Sequence, residues 1–439
     1  MKTAALHNLG CKVNAYETEA MQEMLEQAGY KIVPFTEKAD VYVINTCTVT
    51  NVADRKSRQM LHRAKKKNPE AIVVAAGCYV QTERSHGGQD PCIDIVIGNN
   101  KKKELLQILE QYYAEKEKRT GKSCGATVEQ VVDINHTREY EALHLSHPQE
   151  HTRAYIKVQD GCNQFCAYCI IPFVRGRVRS RALEDVMREV KELAENGYQE
   201  VVLTGIHLSS YGVDIPGKLD LLSLIRAVHA VPGIRRIRLG SLEPRIVTEE
   251  FAGNLAQLPK VCPHFHLSLQ SGCDETLQRM NRRYTAREYF EKCQILRKYF
   301  ENPALTTDVI VGFPGETQAE FEASRDFIDK VGFYETHVFK YSKREGTRAA
   351  GMPGQVNEHV KAQRSAELIA LGEKRREEYV RSFEGKEVEV LVEEQTVIDG
   401  RKVWTGHTRE YMKIALEDER NLQNCIVKVE IDNGLQIIH

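Results

Sequence analysis

The chain has 439 residues, 41% hydrophobic and 28% charged, with a formal net charge of −1; at roughly 100–200 residues per domain it holds two to four domains, and a single small stapled module is excluded. No apolar run nears the ~18 residues of a membrane span, and the start MKTAALHNLG lacks an h-region with a small-residue cleavage site. No membrane association is expected, the cytoplasm is the expected compartment, and the near-zero net charge excludes a globally basic nucleic-acid binder while leaving room for local basic runs.

Residues 1–118 alternate strand and helix. Short apolar runs with β-branched content at Thr3–His7, Val41–Asn45, Ile72–Ala76 and Ile93–Ile97 predict strands, and the periods at Tyr16–Ala28, Asp54–Lys67 and Lys101–Lys116 predict helices. That rhythm predicts a small parallel, flavodoxin-like α/β domain. Residues 119–150 are polar, carry His136, His144 and His147 with His151 just beyond, and read as a solvent-exposed linker with a short strand at Gln130–Ile134.

A second alternation follows over 151–375. Strands are predicted at Tyr155–Gln159, Glu200–Thr204, Arg236–Gly240, His264–Gln270, Thr306–Gly312 and Thr336–Tyr341, with helices at Leu183–Glu195, Leu219–Val228, Thr248–Gln257, Ala286–Phe300 and Gln318–Lys330. Six such units predict a partial (β/α)6 barrel. After a helix at Glu358–Tyr379, the texture turns to strands only, at Val388–Glu393, Val403–His407, Met412–Ala415 and Ile426–Ile431, which predicts a small all-β, OB-like barrel over 376–439. That last segment has nine Lys and Arg against fourteen Asp and Glu, so it offers no simple basic clamp for RNA.

Twelve cysteines need an explanation. Cys162, Cys166 and Cys169, spaced C-x3-C-x2-C directly after the first barrel strand, can hold three corners of a cubane iron-sulfur cluster and leave the fourth iron open. A zinc loop or three buried thiols are the alternatives, but zinc wants four ligands and buried thiols do not cluster so tightly. Cys11, Cys47 and Cys78 each come immediately after a predicted strand of the first domain, and the carboxyl ends of parallel strands share one edge, so these three are expected to converge. Cys92 precedes its strand and is expected at the opposite edge. Two basic runs, Arg55, Lys56 and Arg58 within one helix and Arg175, Arg177, Arg179 and Arg181 after the cysteine loop, are candidate phosphate contacts or else solvated faces.

The C-x3-C-x2-C loop at the end of the first strand of a six-unit barrel, with Tyr168 before the last cysteine, resembles the radical S-adenosylmethionine superfamily. The resemblance implies that the open iron binds the amino and carboxylate groups of S-adenosylmethionine and that the reduced cluster cleaves it to a 5'-deoxyadenosyl radical. It also implies that later strand ends line the cofactor site; besides Tyr168, the candidates are Thr204, Gly205, Ser268, Gln270, Asp308 and Gly312, for each of which ordinary turn chemistry is the alternative.

Along essentially the whole chain, LGCKVNAYETEA, NTCTVTNVADRKSRQ, GCYVQ, DGCNQFCAYCIIPFVRGRVRSR, LTGIHLSSYG and VIVGFPGET resemble the methylthiotransferase family, most closely its tRNA N6-threonylcarbamoyladenosine branch. The resemblance implies two 4Fe-4S clusters, the second on Cys11, Cys47 and Cys78 and presenting the sulfur. A second S-adenosylmethionine would methylate that sulfur. A terminal TRAM domain, an anticodon stem-loop as partner, and an electron donor such as flavodoxin or ferredoxin are implied as well. Sister branches that act on isopentenyladenosine tRNA or on a ribosomal-protein aspartate are alternatives within the enzyme class. A non-catalytic iron-sulfur sensor binding RNA is the alternative outside it.

Overall fold

The computed structural model describes residues 1–82, 90–118, 127–147, 152–217 and 219–431. In its first part, strands β1 (Thr3–Asn8), β2 (Lys31–Ile32), β3 (Val41–Thr46), β4 (Ile72–Gly77), β5 (Ile95–Ile97) and β6 (Val128–Gln130) lie parallel in the order β2-β1-β3-β4-β5-β6. Both β3 and β4 are buried from end to end, which is why they read as unbroken apolar runs rather than alternating ones. Helices α1 (Lys12–Gln27) and α4 (Leu105–Lys118) cover one face through Met21, Leu25, Leu105 and Ile108. On the other face, α2 (Asn51–Lys67) and α3 (Cys78–Thr82) pack through Leu61, Ala64, Tyr79 and Val80. This is the flavodoxin-like order, with its switch point between β1 and β3.

The linker expected at 119–150 is corrected by the structure. The short strand falls at Val128–Gln130 rather than Gln130–Ile134, and it extends the first sheet by pairing with β5. Beyond it, Leu143 and Leu145 are buried against Tyr16, whose hydroxyl donates to the Leu143 carbonyl at 2.8 Å, and His144 pairs with Glu192 at 2.6 Å. His151 lies outside the described residues, as does Cys124 among the twelve cysteines.

The second part holds six parallel strands: β7 (Arg153–Asp160), β9 (Glu200–Gly205), β10 (Arg236–Leu239), β11 (His264–His266), β12 (Ala304–Val311) and β13 (Glu335–Lys340). A short β8 (Arg179–Ser180) runs antiparallel beside β7. Ladders join β7-β9-β10 and β11-β12-β13, and the bridges Ile237 to Val261 and Leu242 to Leu267 connect the two runs into one partial barrel. The connecting helices are α5 (Ile171–Val174), α6 (Leu183–Glu195), α7 (Leu221–His229), α8 (Glu249–Ala256), α9 (Asp274–Arg279), α10 (Ala286–Tyr299) and α11 (Gln318–Val331), followed by α12 (Glu358–Arg381). Two of these starts are fixed by reciprocal capping boxes, Thr285 with Glu288 and Thr317 with Glu320. Ala154, Ile156, Val158, Val201, Leu203, Ile237 and Leu239 point outward into the helix layer, so alternation turns Arg153, Lys157, Gln159, Glu200 and Arg238 into the lumen.

The last part is a curled antiparallel sheet of β14 (Glu387–Ile398), β15 (Arg401–Thr408), β16 (Lys413–Leu416) and β17 (Ile426–Glu430) in the order β16-β15-β14-β17, a TRAM-like half-barrel. Val390, Val392, Trp404 and Ile414 form its core together with Ala304 and Tyr334 at the amino ends of barrel strands. Arg236 donates to the carbonyls of His407 (3.0 Å) and Glu389 (2.8 Å), and Arg238 donates to that of Arg409 (2.9 Å). At the tip of the β15–β16 turn, Tyr411 takes a φ of 77° and stacks 5.0 Å from His264 and 4.5 Å from His407. Arg153 and Arg238 lie 4.9 and 4.7 Å from the centre of the same ring. Since Arg153, Arg236 and His264 begin their strands, this sheet closes the end of the lumen opposite the cysteine loops.

Candidate active site

Each residue of the first cysteine triplet follows a strand of the first sheet: Cys11 caps α1 after β1, Cys47 follows β3, and Cys78 opens α3 after β4. The glycines of LGC and AGC are there for space. A Cβ on Gly10 (φ 109°) would lie 2.9 Å from the Cβ of Cys47, and one on Gly77 (φ 96°) would lie 2.5 Å from Asn45 Oδ1. Asn14 ties two of the loops by donating to the carbonyls of Leu9 (2.7 Å) and Thr46 (3.0 Å), while Ser57 accepts from the Cys47 amide and donates to its carbonyl. Burial, then the neighbouring Cys78 and Cys11, push the Cys47 thiol up to about 12.

The second triplet sits on the loop from β7 to α5. A Cβ on Gly161 (φ 71°) would fall 1.8 Å from the Arg177 carbonyl oxygen, so only glycine lets the loop close on itself. The sulfurs accept N–H donors: the Gln164 amide reaches Cys162 Sγ at 3.4 Å and Arg282 Nη1 reaches Cys166 Sγ at 3.3 Å. Burial pushes the Cys162 thiol up to about 11, Cys166 adding to it.

None of the cysteines described is in a disulfide. Cys78 pushes up the thiols of Cys11 and Cys47, and Cys166 those of Cys162 and Cys169, yet none of the six belongs to a group of three donor atoms within 4.8 Å of one another. A single tetrahedral zinc holds its sulfurs about 3.8 Å apart. The donor sets therefore suit a larger, polynuclear centre, and three thiolates with amide and guanidinium N–H donors fit an iron-sulfur cluster with one iron free of protein ligands.

The two triplets face one another. Ile170, next to Cys169, packs with Val174 against Cys78, and Arg175 Nε lies 3.3 Å from Cys78 Sγ. The same guanidinium binds Glu17 at 2.6 Å, and Glu17 also meets Lys157 (2.7 Å) and Lys102 (3.0 Å). Burial alone would raise the Glu17 carboxyl, but Arg175, Lys102 and Lys157 hold it well below the ordinary range.

These contacts correct one expectation. Arg175, Arg179 and Arg181 are almost fully buried, in ion pairs with Glu17, Asp160 and Glu189, and are closed to phosphates. Arg177 is exposed, its guanidinium 4.4 Å from the centre of the Phe165 ring. Arg55, Lys56 and Arg58 stand exposed on α2. The amino end of that helix docks on the loop after β13, where Arg344 pairs with Asp54 at 2.7 Å.

The strand-end residues spread around the same mouth. Thr204 is buried, and a Cβ on Gly205 would meet Gln159 Oε1 at 2.9 Å. The Ser268 carbonyl accepts from Arg282 (3.1 Å) and Tyr284 (2.6 Å), which connects it to Cys166. Gln270, at φ 70°, donates its amide to the Asp308 carbonyl. Tyr168 packs edge-on against Phe313, beside Gly312, whose amide donates to Glu316. Asp308 is set apart, paired with His266 inside the lumen. The sequence reading missed Arg282 as a site residue: in NRRY it is one cation among several, and only the fold brings it to Cys166.

The Radical SAM superfamily matches residues 156–328, and the family described as Uncharacterized protein family UPF0004 matches residues 3–98. Among solved structures, the radical S-adenosylmethionine methyltransferase TsrM from Kitasatospora setae superposes with a TM-score of 0.52 at 16% identity, over 77% of this chain and 72% of that one, a likeness of fold alone. Fold and cysteine loop together thus define a radical S-adenosylmethionine protein. The threonylcarbamoyladenosine tRNA methylthiotransferase MtaB of Bacillus subtilis is 41% identical over 98% of this chain and 94% of its own length, and that of Aquifex aeolicus is 39% identical over 89% and 93%. A tRNA-2-methylthio-N(6)-dimethylallyladenosine synthase from Moorella thermoacetica is 36% identical over 98% and 96%. The chain belongs to the methylthiotransferase family, with the MtaB proteins among its relatives.

Proposed function

We propose that this protein replaces the C2 hydrogen of N6-threonylcarbamoyladenosine at position 37 of tRNAs with a methylthio group, in an S-adenosylmethionine-dependent reaction in the cytoplasm. The observation that carries the reading is the facing of the two cysteine triplets across Ile170, Val174 and Arg175. Cys162, Cys166 and Cys169 would hold one 4Fe-4S cluster, and Cys11, Cys47 and Cys78 a second. Bound there, the clusters supply the electron that splits S-adenosylmethionine and the sulfur that is transferred, chemistry that no side chain can perform on an unactivated C–H bond.

The chain's own residues do the rest. Arg282 and the Gln164 amide stabilise thiolate charge at one triplet, and Arg175 and Asn99 Nδ2 (3.5 Å from Cys78 Sγ) do so at the other. Ile170 and Val174 pack on Cys78 and make that side of the site apolar. Tyr168, Thr204, Gly205, Ser268, Gln270 and Gly312 line the mouth where S-adenosylmethionine would bind. Arg55, Lys56, Arg58 and Arg177 are exposed and would meet phosphates of the anticodon stem-loop. The target base must leave its stack to reach this mouth. A flavodoxin or ferredoxin would supply the electrons.

The test is mass spectrometry of tRNA nucleosides from cells lacking the gene, re-supplied with the intact protein or with Cys162→Ala. The 2-methylthio form of N6-threonylcarbamoyladenosine should vanish and return only with the intact protein. Loss of the dimethylallyl product instead would move the protein to the sister branch that the Moorella relative represents. An unchanged nucleoside profile would overturn the tRNA reading.

A further inference from the structure

Halfway down the barrel lumen, three side chains that the reaction above does not use converge. His266 on β11, Asp308 on β12 and His337 on β13 each bring one donor atom to within 4.8 Å of the other two. The sheet dictates this meeting. Asp308 and His337 are register partners across β12 and β13, and His266 is the partner of Thr306, two residues before Asp308 on the same face. His266 Nε2 lies 3.3 Å from Asp308 Oδ2, and the two imidazoles stack with centroids 5.8 Å apart.

The geometry points to a third metal site here, distinct from both cysteine triplets: a divalent first-row transition ion held by His266, Asp308 and His337. Two imidazoles and a carboxylate from three neighbouring strands form the two-histidine, one-carboxylate set that binds such ions and leaves other coordination positions open. A second feature has the same meaning. His266 Nδ1 is engaged at 3.0 Å by the hydroxyl of Thr306, which is buried, and this fixes the ring with Nε2 toward Asp308. Ligating histidines are oriented by such a partner on the other ring nitrogen. Glu335 adds a second carboxylate 4.0 Å from His337 Nε2, so two negative charges stand ready to balance a divalent cation. On this assignment Asp308 serves the ion rather than S-adenosylmethionine. The open positions face the lumen one strand layer below Ser268, whose carbonyl Arg282 links to Cys166.

The experiment is an anaerobic Co2+ titration of the reconstituted, gel-filtered holoenzyme, followed by ligand-field absorption and by metal analysis after desalting. His337 is half-exposed, so His337→Ala should fold, and it should take up one Co2+ per chain fewer than the parent. Thr306→Val, which keeps the shape and removes only the hydroxyl, should weaken that uptake roughly 10–100-fold. His359→Ala, at an exposed position on α12, should match the parent. Equal Co2+ uptake by parent and His337→Ala would overturn the site, as would full affinity in Thr306→Val.

Discussion

Arg175 Nε stands 3.3 Å from the sulfur of Cys78, so a side chain one short helix beyond the loop of one cysteine triplet ends at the other. Its remaining nitrogens bind Glu17 and Asp160, all buried. Arg175→Met removes one of the buried cations that hold those two carboxylates, leaving Lys102, Lys157 and Arg179 in place, and should lower the unfolding free energy by about 1–3 kcal/mol. The exposed Arg177→Met should stay within about 0.5 kcal/mol of the parent. Anaerobic urea titrations of the two variants check this. Had Arg175 been a phosphate contact, its loss would spare stability and weaken tRNA binding instead.

The iron count separates the two triplets. Replacing Cys162, Cys166 and Cys169 by alanine should remove about half the iron of the reconstituted protein, and replacing Cys11, Cys47 and Cys78 should remove the other half. Iron and acid-labile sulfide per chain give the answer. Loss of all iron from either variant would mean one shared centre rather than two.

Gly161→Ala tests backbone geometry without touching a sulfur. Its added Cβ would need the space of the Arg177 carbonyl, 1.8 Å away, and the position is already at φ 71°. The cysteine loop should shift, and the variant should lose the iron of that triplet while retaining the iron bound by Cys11, Cys47 and Cys78.

Acid should loosen the C-terminal sheet through Glu200. Burial alone would raise this carboxyl, but Arg238, with Arg153 and Arg236, holds it below the ordinary glutamate range. Its unfolded value is about 4.5. Stability from this pair is therefore complete above that value and lost as the pH falls through the folded one. Trp404, the only tryptophan, lies in the core of this sheet, so its fluorescence reports the sheet alone. The urea midpoint read from Trp404 should fall on acidification, and Glu200→Gln should flatten that dependence while lowering the midpoint at neutral pH.

Tyr411→Ala removes a ring stacked between two histidines and flanked by two guanidinium groups. The same Trp404 signal should show a loss of about 1–3 kcal/mol. Tyr411→Asn tolerates the left-handed backbone better and should recover the part of that loss due to strain.

Most of the fold is legible in the sequence because it is periodic. The period predicts Leu183–Glu195 to the residue, and the strands other than β2 and β8 lie within a few residues of the predicted runs. The placement of Cys11, Cys47 and Cys78 just past the carboxyl ends of three strands is legible too. Arg175, Arg179 and Arg181 were not. Alternating arginines look solvated when the carboxylate that buries one of them, Glu17, lies 158 residues away. Nor could β2 be read, because two residues make no period. The His266, Asp308 and His337 group was equally invisible: its members come from three strands and share no motif.

Tyr411 seals the floor of the lumen from below. Nothing can thread the barrel along its axis from end to end; the lumen is reached from the cysteine-bearing side or past the open edge at β13, where His337 is half-exposed. An RNA that also touches the C-terminal sheet must wrap around the outside of the barrel, past strands of up to eight residues, a path of roughly 25 Å.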